Sequence, residues 1–328
     1  MLTIYYIIAL ILGFIVLLWG ADRFVEGAAN IARNFGVSPL IIGLTIVGLG
    51  TSAPEILVSA QAAFDNSPAL GIGNAIGSNI ANIGMVLGIT LLVTPLTVNS
   101  DTFKREFPIL AAVTVLALIL LWDQHLGYSD GIVLLAGFVI TLFSMASLAI
   151  KSSKSSSSEN KFDSEHSQPI MATKIAILNF IVGLFALLIG SKALVWGATG
   201  IAVILGVSEL IIGLTIVAIG TSLPELAASV VSALKNQHDI AIGNILGSNV
   251  FNILAVLAMP ALIMPSATDN ALLQRDFAVM ALLFIMLFVF ARFGKAGRIG
   301  RSAGTLMLLV YITYNSLLAY QSTLGIVA

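Results

Sequence analysis

The sequence contains no cysteine, and only 9% of its residues are charged, against about 25% in soluble domains. The absence of cysteine excludes disulfide bonds and thiolate metal sites. The three histidines (His125, His166 and His238) lie in polar connecting segments without the spacing of metal ligands. There is no Ser/His/Asp set and no His-Glu-x-x-His motif, so a membrane-embedded hydrolase is disfavoured and we do not expect an enzyme.

Apolar residues dominate what is present, since 58% of the chain is hydrophobic. Several apolar runs approach the roughly 20 residues that a helical membrane span needs. The first run begins at Met1 and has no basic segment or small-residue cleavage site before Trp19, so we expect a retained span and not a signal peptide. The sequence therefore predicts an all-α polytopic membrane protein. Its ten transmembrane helices are expected over residues 2–22, 38–64, 69–93, 106–122, 130–150, 173–204, 208–234, 239–264, 276–291 and 303–321.

One stretch of the sequence occurs twice. It reads Gly-Leu-Thr-Ile-Val-x-x-Gly-Thr-Ser-x-Pro-Glu, and it ends at Glu55 in the first copy and 170 residues later at Glu225 in the second. Of the 20 residues from Gly36 to Glu55, 16 are identical in the second copy. The correspondence extends to Phe107 and Phe277. The chain is thus built from two related parts.

These parts define the expected domain organisation. Residues 1–150 and 173–328 each hold five predicted spans, with the repeated regions at about 36–93 and 206–263. The Ser-rich segment 151–172 between them cannot bury apolar surface, so we predict a flexible linker. Because each half has an odd number of spans, equivalent spans must cross the membrane in opposite directions. Inverted repeats of this kind are typical of secondary transporters, whose sites lie at the midplane on broken helices.

The distribution of Lys and Arg predicts the orientation. With the N-terminus outside, twelve basic residues fall in inner connectors and only Arg275 in an outer one. Both termini are therefore expected outside and the Ser-rich linker inside. Arg23, flanked by Asp22 and Glu26 at the predicted end of the first span, is interpreted as part of a self-paired group of interfacial charges. The expected partners are the lipid bilayer and inorganic cations, and no nucleic-acid or protein partner is indicated.

Pro54 and Pro224 predict breaks in the repeated spans, because proline lacks the backbone donor and clashes with the carbonyl four residues before it. Broken backbone at this depth is tolerated only inside protein or beside a water-filled cavity. Glu55 and Glu225 follow each break, and an ionisable residue in mid-span needs a partner or a cation. A structural alternative is that Ser-x-x-Glu forms a capping box in each helix. Two glutamates at equivalent depths favour one shared cation site.

A second motif, Gly-Asn-x-x-Gly-Ser-Asn-x-x-Asn, repeats in the following span. Its polar residues recur every four positions and so share one helix face. Its two glycines form a small-xxx-small pair that would allow another helix to approach closely. We predict that Ser78, Asn82, Ser248 and Asn252 line the site. For Asn74 and Asn244, hydrogen bonding between helices is the alternative.

These two motifs resemble those of the calcium/cation antiporter superfamily, and within it the prokaryotic sodium/calcium exchanger family. Both motifs are intact, and the resemblance covers nearly the whole chain. It implies ten helices, two alpha repeats, four clustered cation sites and a location in a bacterial or archaeal cytoplasmic membrane. Ca²⁺ and Na⁺ would be transported cargo, with no permanently bound cofactor.

The resemblance also implies a role for each matching position. Glu55 and Glu225 would be the central calcium ligands, assisted by the carbonyls of Thr51 and Thr221. The flanking sodium sites would be completed by the carbonyls of Gly48 and Ala218 and by Ser52, Ser222, Ser78 and Ser248. Asn82 and Asn252 would line the middle of the cluster.

Asn252 departs from the pattern in which this position is often an aspartate. The site then holds two carboxylates and not three, which weakens the expectation of three sodium ions per calcium and argues against potassium dependence. The predicted function is exchange of Ca²⁺ for Na⁺ by alternating access. Calcium/proton exchange at the same glutamates is the main alternative, and a channel is a second one.

Overall fold

The structure, a computed structural model, describes residues 2–98, 100–159, 171–205, 218–294 and 297–323. Its helices are, in chain order, α1 (Leu2–Phe35), α2 (Pro39–Phe64), α3 (Pro68–Val93), α4 (Ser100–Leu121), α5 (Tyr128–Glu159), α6 (Thr173–Ile204), α7 (Ala218–Thr221 and Leu223–Leu234), α8 (His238–Ile263), α9 (Leu272–Phe293) and α10 (Arg301–Thr323). Four two-residue strands form two antiparallel pairs: β1 (Leu96–Thr97) with β4 (Arg298–Ile299), and β2 (His125–Leu126) with β3 (Ser266–Ala267).

The helices have the length and composition of a polytopic membrane protein. Among the described residues, eight are long and apolar enough to cross a membrane, and the apolar helices Glu106–Leu121 and Leu223–Leu234 are shorter. Large hydrophobic side chains cover the outer faces, for example Phe143 and Phe185, which are 75% and 60% exposed. Such surfaces are compatible with lipid and not with water. The all-α membrane class predicted from composition is therefore confirmed.

Helices α1 and α6 pack against each other along most of their length. Glycines permit the contact: a Cβ atom on Gly20 would lie 2.8 Å from the backbone of Leu187, and one on Gly27 would lie 2.7 Å from the carbonyl of Ala176. Phe24 stacks on Phe180 with 4.6 Å between ring centroids. Close glycine packing of this kind is a common means of helix association in membranes.

Helix α1 is longer than predicted. The sequence placed its end near residue 22, where charged residues begin, but the helix continues to Phe35 and stops at Gly36, whose φ of 62° lies in the left-handed region. The extension persists because Ala28 and Ala32 are buried against the rest of the protein. Charges that resemble a membrane boundary in the sequence therefore lie within a helix.

Helix α8 lies at the centre of the fold and is buried along almost its entire length. The first turns of α2 pack on it, and a Cβ atom on Gly243 would lie 2.6 Å from the carbonyl oxygen of Leu40. This confirms the predicted close approach for the second small-xxx-small pair. For the equivalent Gly73 and Gly77 of α3, the counterpart of this part of α2 is residues 206–217, which lie outside the described part of the chain, so the close approach at the first pair stays a prediction.

Equivalent positions of the two repeats share their local conformation. The helices carrying Glu55 and Glu225 end at Phe64 and Leu234, and each is followed by an asparagine in the left-handed region, Asn66 (φ 60°) and Asn236 (φ 58°). The strands β1 and β3 are also equivalent in the 170-residue register. The register found in the sequence is thus retained in three dimensions.

The connection between the halves differs from the prediction at its beginning. Helix α5 continues to Glu159, nine residues into the segment predicted as linker, whereas α6 begins at Thr173 as predicted. An existing helix extends without a new nucleation step, so serine and lysine can prolong it. The remaining linker residues, 160–170, lie outside the described part of the chain.

Candidate ion-binding site

The site is built on two helix breaks, at Ser52 in α2 and at Ser222 in α7. Their ψ angles are 0° and 5°, and a new helix starts at the next residue with proline in its first turn. Neither serine makes a side-chain capping hydrogen bond. The capping-box alternative is therefore not realised, and the hydroxyls are free for other contacts.

At the second break, a serine from another helix donates a hydrogen bond to the carbonyl that the proline leaves without a donor. Pro224 has no N–H group to donate to the carbonyl of Gly220, and the Ser191 hydroxyl on α6 donates to that carbonyl instead, at 2.7 Å. The equivalent position on α1 is Ala21, which has no hydroxyl. The two breaks are thus similar in backbone but differ in how their freed carbonyls are stabilised.

Glu55 and Glu225 lie in the first turn of the helix after each break. Their exposed fractions are 1% and 0%, and the two carboxylates are close enough to repel each other. The Ser52 hydroxyl donates to Oε1 of Glu225 across 3.4 Å. In each glutamate, Oε2 is buried without a hydrogen-bond donor among the described residues. Such paired buried charge is costly unless a cation or protons neutralise it.

Asn82 and Asn252 begin segments of α3 and α8 that pack against the helices carrying Glu225 and Glu55, respectively. Each is at most 1% exposed, and neither its amide oxygen nor its amide nitrogen has a partner in the described structure. Both residues begin π-helical turns, Asn82–Leu87 and Asn252–Val256. Such turns often occur at functional sites. Unpartnered buried amide oxygens are suitable ligands for hard cations.

A third group of oxygens lies where α2 meets α8. The Thr51 hydroxyl is 3.3 Å from the Gly48 carbonyl and 3.4 Å from the Ser248 hydroxyl, and Ser248 in turn lies 3.5 Å from the same carbonyl. These three residues come from both repeats. The structure therefore brings together Gly48 and Ser248, two of the flanking residues that the family resemblance implied, and places the Thr51 hydroxyl between them.

Asn244 holds this arrangement in place. It accepts a hydrogen bond from Thr51 (3.1 Å) and donates to the Glu225 carbonyl (3.3 Å) and to Ser229 (2.9 Å). Its counterpart Asn74 donates to the Glu55 carbonyl (3.2 Å) and the Ser59 hydroxyl (2.9 Å). The alternative interpretation of these asparagines, hydrogen bonding between helices, is the one the geometry supports.

Ser59 and Ser229 were not predicted from the sequence. Both are fully buried, and they are separated by the same 170 residues as the other repeated positions. Matching polar residues across the register would have found them. Ser191 had no such signal, because its counterpart is alanine.

The remaining predicted ligands are placed less symmetrically. Ser222 is buried and its hydroxyl has no described partner, whereas Ser78 (5% exposed) and Thr221 border a cavity of about 500 Å³. The cavity extends along α3 past Gly73 and reaches α9 and α10. Ala218 begins the described part of α7.

Comparison with known proteins identifies the family. The family model described as sodium/calcium exchanger protein matches residues 5–146 and 175–320. The chain belongs to this sodium/calcium exchanger family. It is therefore a secondary transporter and not an enzyme.

Individual relatives agree with this assignment. The chain is 46% identical to the putative antiporter CaxA of Alkalimonas amylolytica, over 95% of this chain and 98% of that protein. It is 38% identical to the inner membrane protein YrbG of Escherichia coli, over 95% and 96%. Among solved structures, the sodium-calcium exchanger NCX_Mj matches with a TM-score of 0.82 and 36% identity, covering 96% of this chain and 99% of the other.

The candidate site of this exchanger-family protein contains few acidic side chains. No cluster of three or more His, Cys, Asp or Glu residues occurs in the described part of the chain. The charge of the site therefore comes from Glu55 and Glu225, and its other oxygens come from hydroxyls, amides and carbonyls. A site with two carboxylates and many neutral oxygens is suited to hard cations with a total charge near +2.

Proposed function

We propose that the protein exchanges Ca²⁺ for Na⁺ across the cytoplasmic membrane by alternating access. The observation that carries this proposal is the pair of buried carboxylates, each with one oxygen lacking a donor among the described residues, together with two buried asparagine amides that have no described partner. Membership of the sodium/calcium exchanger family supports the same conclusion.

The chemistry of the oxygens fits calcium. Ca²⁺ takes six to eight oxygen ligands at about 2.3–2.6 Å, and two carboxylates neutralise its charge. Glu55 and Glu225 supply the charge, with the Thr51 and Thr221 carbonyls as neutral ligands. Around the first break, the oxygens of Gly48 and Ser52 and that of Ser248 on α8 would serve sodium. Their counterparts around the second break, Ala218, Ser222 and Ser78 on α3, would do the same.

The same charge explains why transport is coupled. Ca²⁺, or two monovalent cations, neutralises the two glutamates, whereas an empty site is a buried dianion that is costly to carry through a low-dielectric barrier. Only loaded forms then interconvert readily between the two membrane faces. This asymmetry converts two binding equilibria into obligatory exchange.

The proposed architecture is ten transmembrane helices in two inverted five-helix halves, with both termini outside. The shared conformation of the two repeats and the positive charge of the inner connectors support it. In this orientation the start of α3 and the end of α10 face outside. The 500 Å³ cavity, which extends from Leu70 and Leu318 to Ser78, is then an outer entrance to the site.

Calcium/proton exchange is the second candidate. It is favoured by Asn82 and Asn252, because amides provide no third charge to retain additional sodium ions, while two glutamates can carry two protons. The Thr51–Ser248–Gly48 oxygens favour sodium, since a set of neutral ligands has no use in proton transport.

The decisive experiment measures calcium flux in proteoliposomes with the purified protein. One set of vesicles carries a sodium gradient at equal pH, and the other carries a proton gradient without sodium. Calcium uptake in the first set alone supports sodium exchange, and uptake in the second alone supports proton exchange. Calcium flux that needs neither counter-ion would indicate a channel and overturn the proposal.

A further inference from the structure

An ion pair joins α1 to the helix that carries Glu225. The Lys235 ammonium lies 2.6 Å from Oδ1 of Asp22 and also donates to the Asp22 backbone carbonyl at 3.1 Å. Lys235 is the residue that ends the helix Leu223–Leu234, so the contact ties α1 directly to the second half of the site. Helix α1 also packs along this helix.

The repeat register places a second pair of charges at the equivalent positions. Asp22 corresponds to Lys192 on α6, and Lys235 corresponds to Asp65, which ends the helix Ala53–Phe64. The two halves have the charges exchanged. In one half the acid lies on α1 and the base lies at the end of α7, and in the other half the base lies on α6 and the acid lies at the end of α2.

The second pair is not formed in this structure. Lys192 is exposed and has no ion-pair partner among the described residues, and the Asp65 carboxylate accepts hydrogen bonds from Gln61 at 3.0 Å. Helix α6 also lacks the extensive packing on Ala53–Phe64 that its counterpart α1 makes on Leu223–Leu234. One pair is closed while its equivalent is open.

The open pair and the cavity of about 500 Å³ adjoin along the chain. Asp65 lies just before α3, and Leu70, Gly73 and Ser78 of α3 line the cavity.

We propose that Asp22–Lys235 and Asp65–Lys192 are alternating latches. Each would join the α1–α6 helix pair to one of the helices that carry the site glutamates, α7 for Lys235 and α2 for Asp65. The first is closed when the site opens outward, and the second closes when the site opens inward. The inference rests on the proposed alternating access, and it adds that two exchanged charge pairs set the balance between the two states.

The balance is measured by labelling an introduced thiol. The natural chain contains no cysteine, so Gly73→Cys provides a single reactive group in the outer cavity, where no described atom would obstruct its Cβ. Its reaction rate with a membrane-impermeant maleimide reports the outward-open fraction. Asp22→Asn and Lys235→Gln are expected to slow labelling, and Asp65→Asn and Lys192→Gln to accelerate it. For partly exposed ion pairs the shift is about 1.5- to 5-fold.

Two further variants distinguish a latch from a general change of charge. Glu26→Gln removes the Arg23–Glu26 pair, which lies within α1 and does not reach the core, so labelling should stay unchanged. The exchange Asp22→Lys with Lys235→Asp should restore the parent rate. Failure of the exchanged pair to restore it would remove the electrostatic basis of the proposal.

Proximity of the second pair is tested by crosslinking. In a chain carrying Asp65→Cys and Lys192→Cys, a short bifunctional thiol reagent should join the two positions. Absence of the crosslink, or identical labelling shifts for both pairs, would overturn the inference. Labelling and crosslinking need no calcium flux, so a parent protein that lacks sodium/calcium exchange would refute the proposed function separately.

Discussion

The Ser52 hydroxyl donates a hydrogen bond to the Glu225 carboxylate, 173 positions away in the chain, with 3.4 Å between Oγ and Oε1. The bond joins the helix break of the first repeat to the charge of the second. A site assembled in this way forms only when both halves dock. Neither repeat alone therefore contains both ends of this contact.

The Ser52–Glu225 bond gives a first prediction. Ser52→Ala removes a hydrogen bond to a charged group, an effect of about 1.5–3 kcal/mol, so the calcium concentration for half-maximal transport should rise at least tenfold. Thr45→Ala on the same helix is the control, because its hydroxyl bonds only to the Ile41 carbonyl among the described residues. Equal calcium dependence in both variants would exclude a role for the bond.

The two glutamates give the sharpest prediction. Glu55→Gln and Glu225→Gln should each abolish calcium exchange, because one remaining carboxylate leaves Ca²⁺ undercompensated in a buried site, at a cost of about 3–5 kcal/mol. Both variants should fold, since glutamine has nearly the same shape. Calcium-stimulated counter-flow in proteoliposomes measures the loss. Glu26→Gln, outside the site, controls for removal of a carboxylate, and parental rates in either site variant would refute a shared site.

Asn244 should prove more important than its counterpart Asn74. Asn244 is fully buried with three hydrogen bonds, and Asn244→Ala leaves the Glu225 carbonyl and the Thr51 and Ser229 hydroxyls without it, an effect of about 1–3 kcal/mol per unpartnered group. Asn74 is only partly buried. Thermal unfolding in detergent and calcium affinity should both decline further in Asn244→Ala than in Asn74→Ala. The reverse order would contradict the structural asymmetry.

The linker is predicted to join the halves without a further role. Because α5 continues to Glu159, the test is confined to residues 160–168, replaced by a Gly/Ser segment of equal length. Calcium exchange should remain within about twofold of the parent. A loss of transport in protein that is inserted normally would reveal a regulatory or docking function.

The features that occur in both repeats could be predicted from the sequence. Glu55 and Glu225, the two breaks and the polar face of α3 and α8 all recur at one register, and two copies of a pattern exclude coincidence. What it did not predict is what differs between copies. Ser191 donates a hydrogen bond to the Gly220 carbonyl at the second break, whereas Ala21, at the equivalent position near the first break, has no hydroxyl to do so. Helix α1 packs along Leu223–Leu234, whereas α6 makes no equivalent extensive packing on Ala53–Phe64. These differences depend on how the halves dock, which no local pattern encodes.

The end of α1 was missed for a related reason. Asp22, Arg23 and Glu26 resemble a membrane boundary when taken locally. In the structure Arg23 pairs with Glu26 at 3.6 Å, as expected, but Asp22 pairs with Lys235 from the other half. A contact across 213 positions cannot be inferred from the charge pattern of a single helix.

The last prediction concerns Asn252, where an aspartate is often found in exchangers that this chain resembles. The amide is fully buried with both polar atoms unpartnered among the described residues, and its mirror position, Asn82, is also an amide. Asn252→Asp would place a third carboxylate near Glu55 and Glu225, and three close negative charges exceed what one Ca²⁺ neutralises. A proton or a further monovalent cation should then be required to balance the charge.

Calcium uptake by Asn252→Asp should therefore become more dependent on pH than that of the parent, decreasing as the pH falls because protons compete with Ca²⁺ for three coupled carboxylates. A response to K⁺ should accompany the change, since a larger monovalent cation can also supply the missing charge. The measurement is calcium uptake against pH, with and without K⁺, for parent and variant in matched liposomes. Asn79→Asp on the same helix as Asn82 is the control, because its amide contacts Met280 and not the carboxylates. If the Asn252→Asp profile matches the parent and shows no K⁺ response, Asn252 lies outside the ion cluster, because a third carboxylate within it must alter the charge balance.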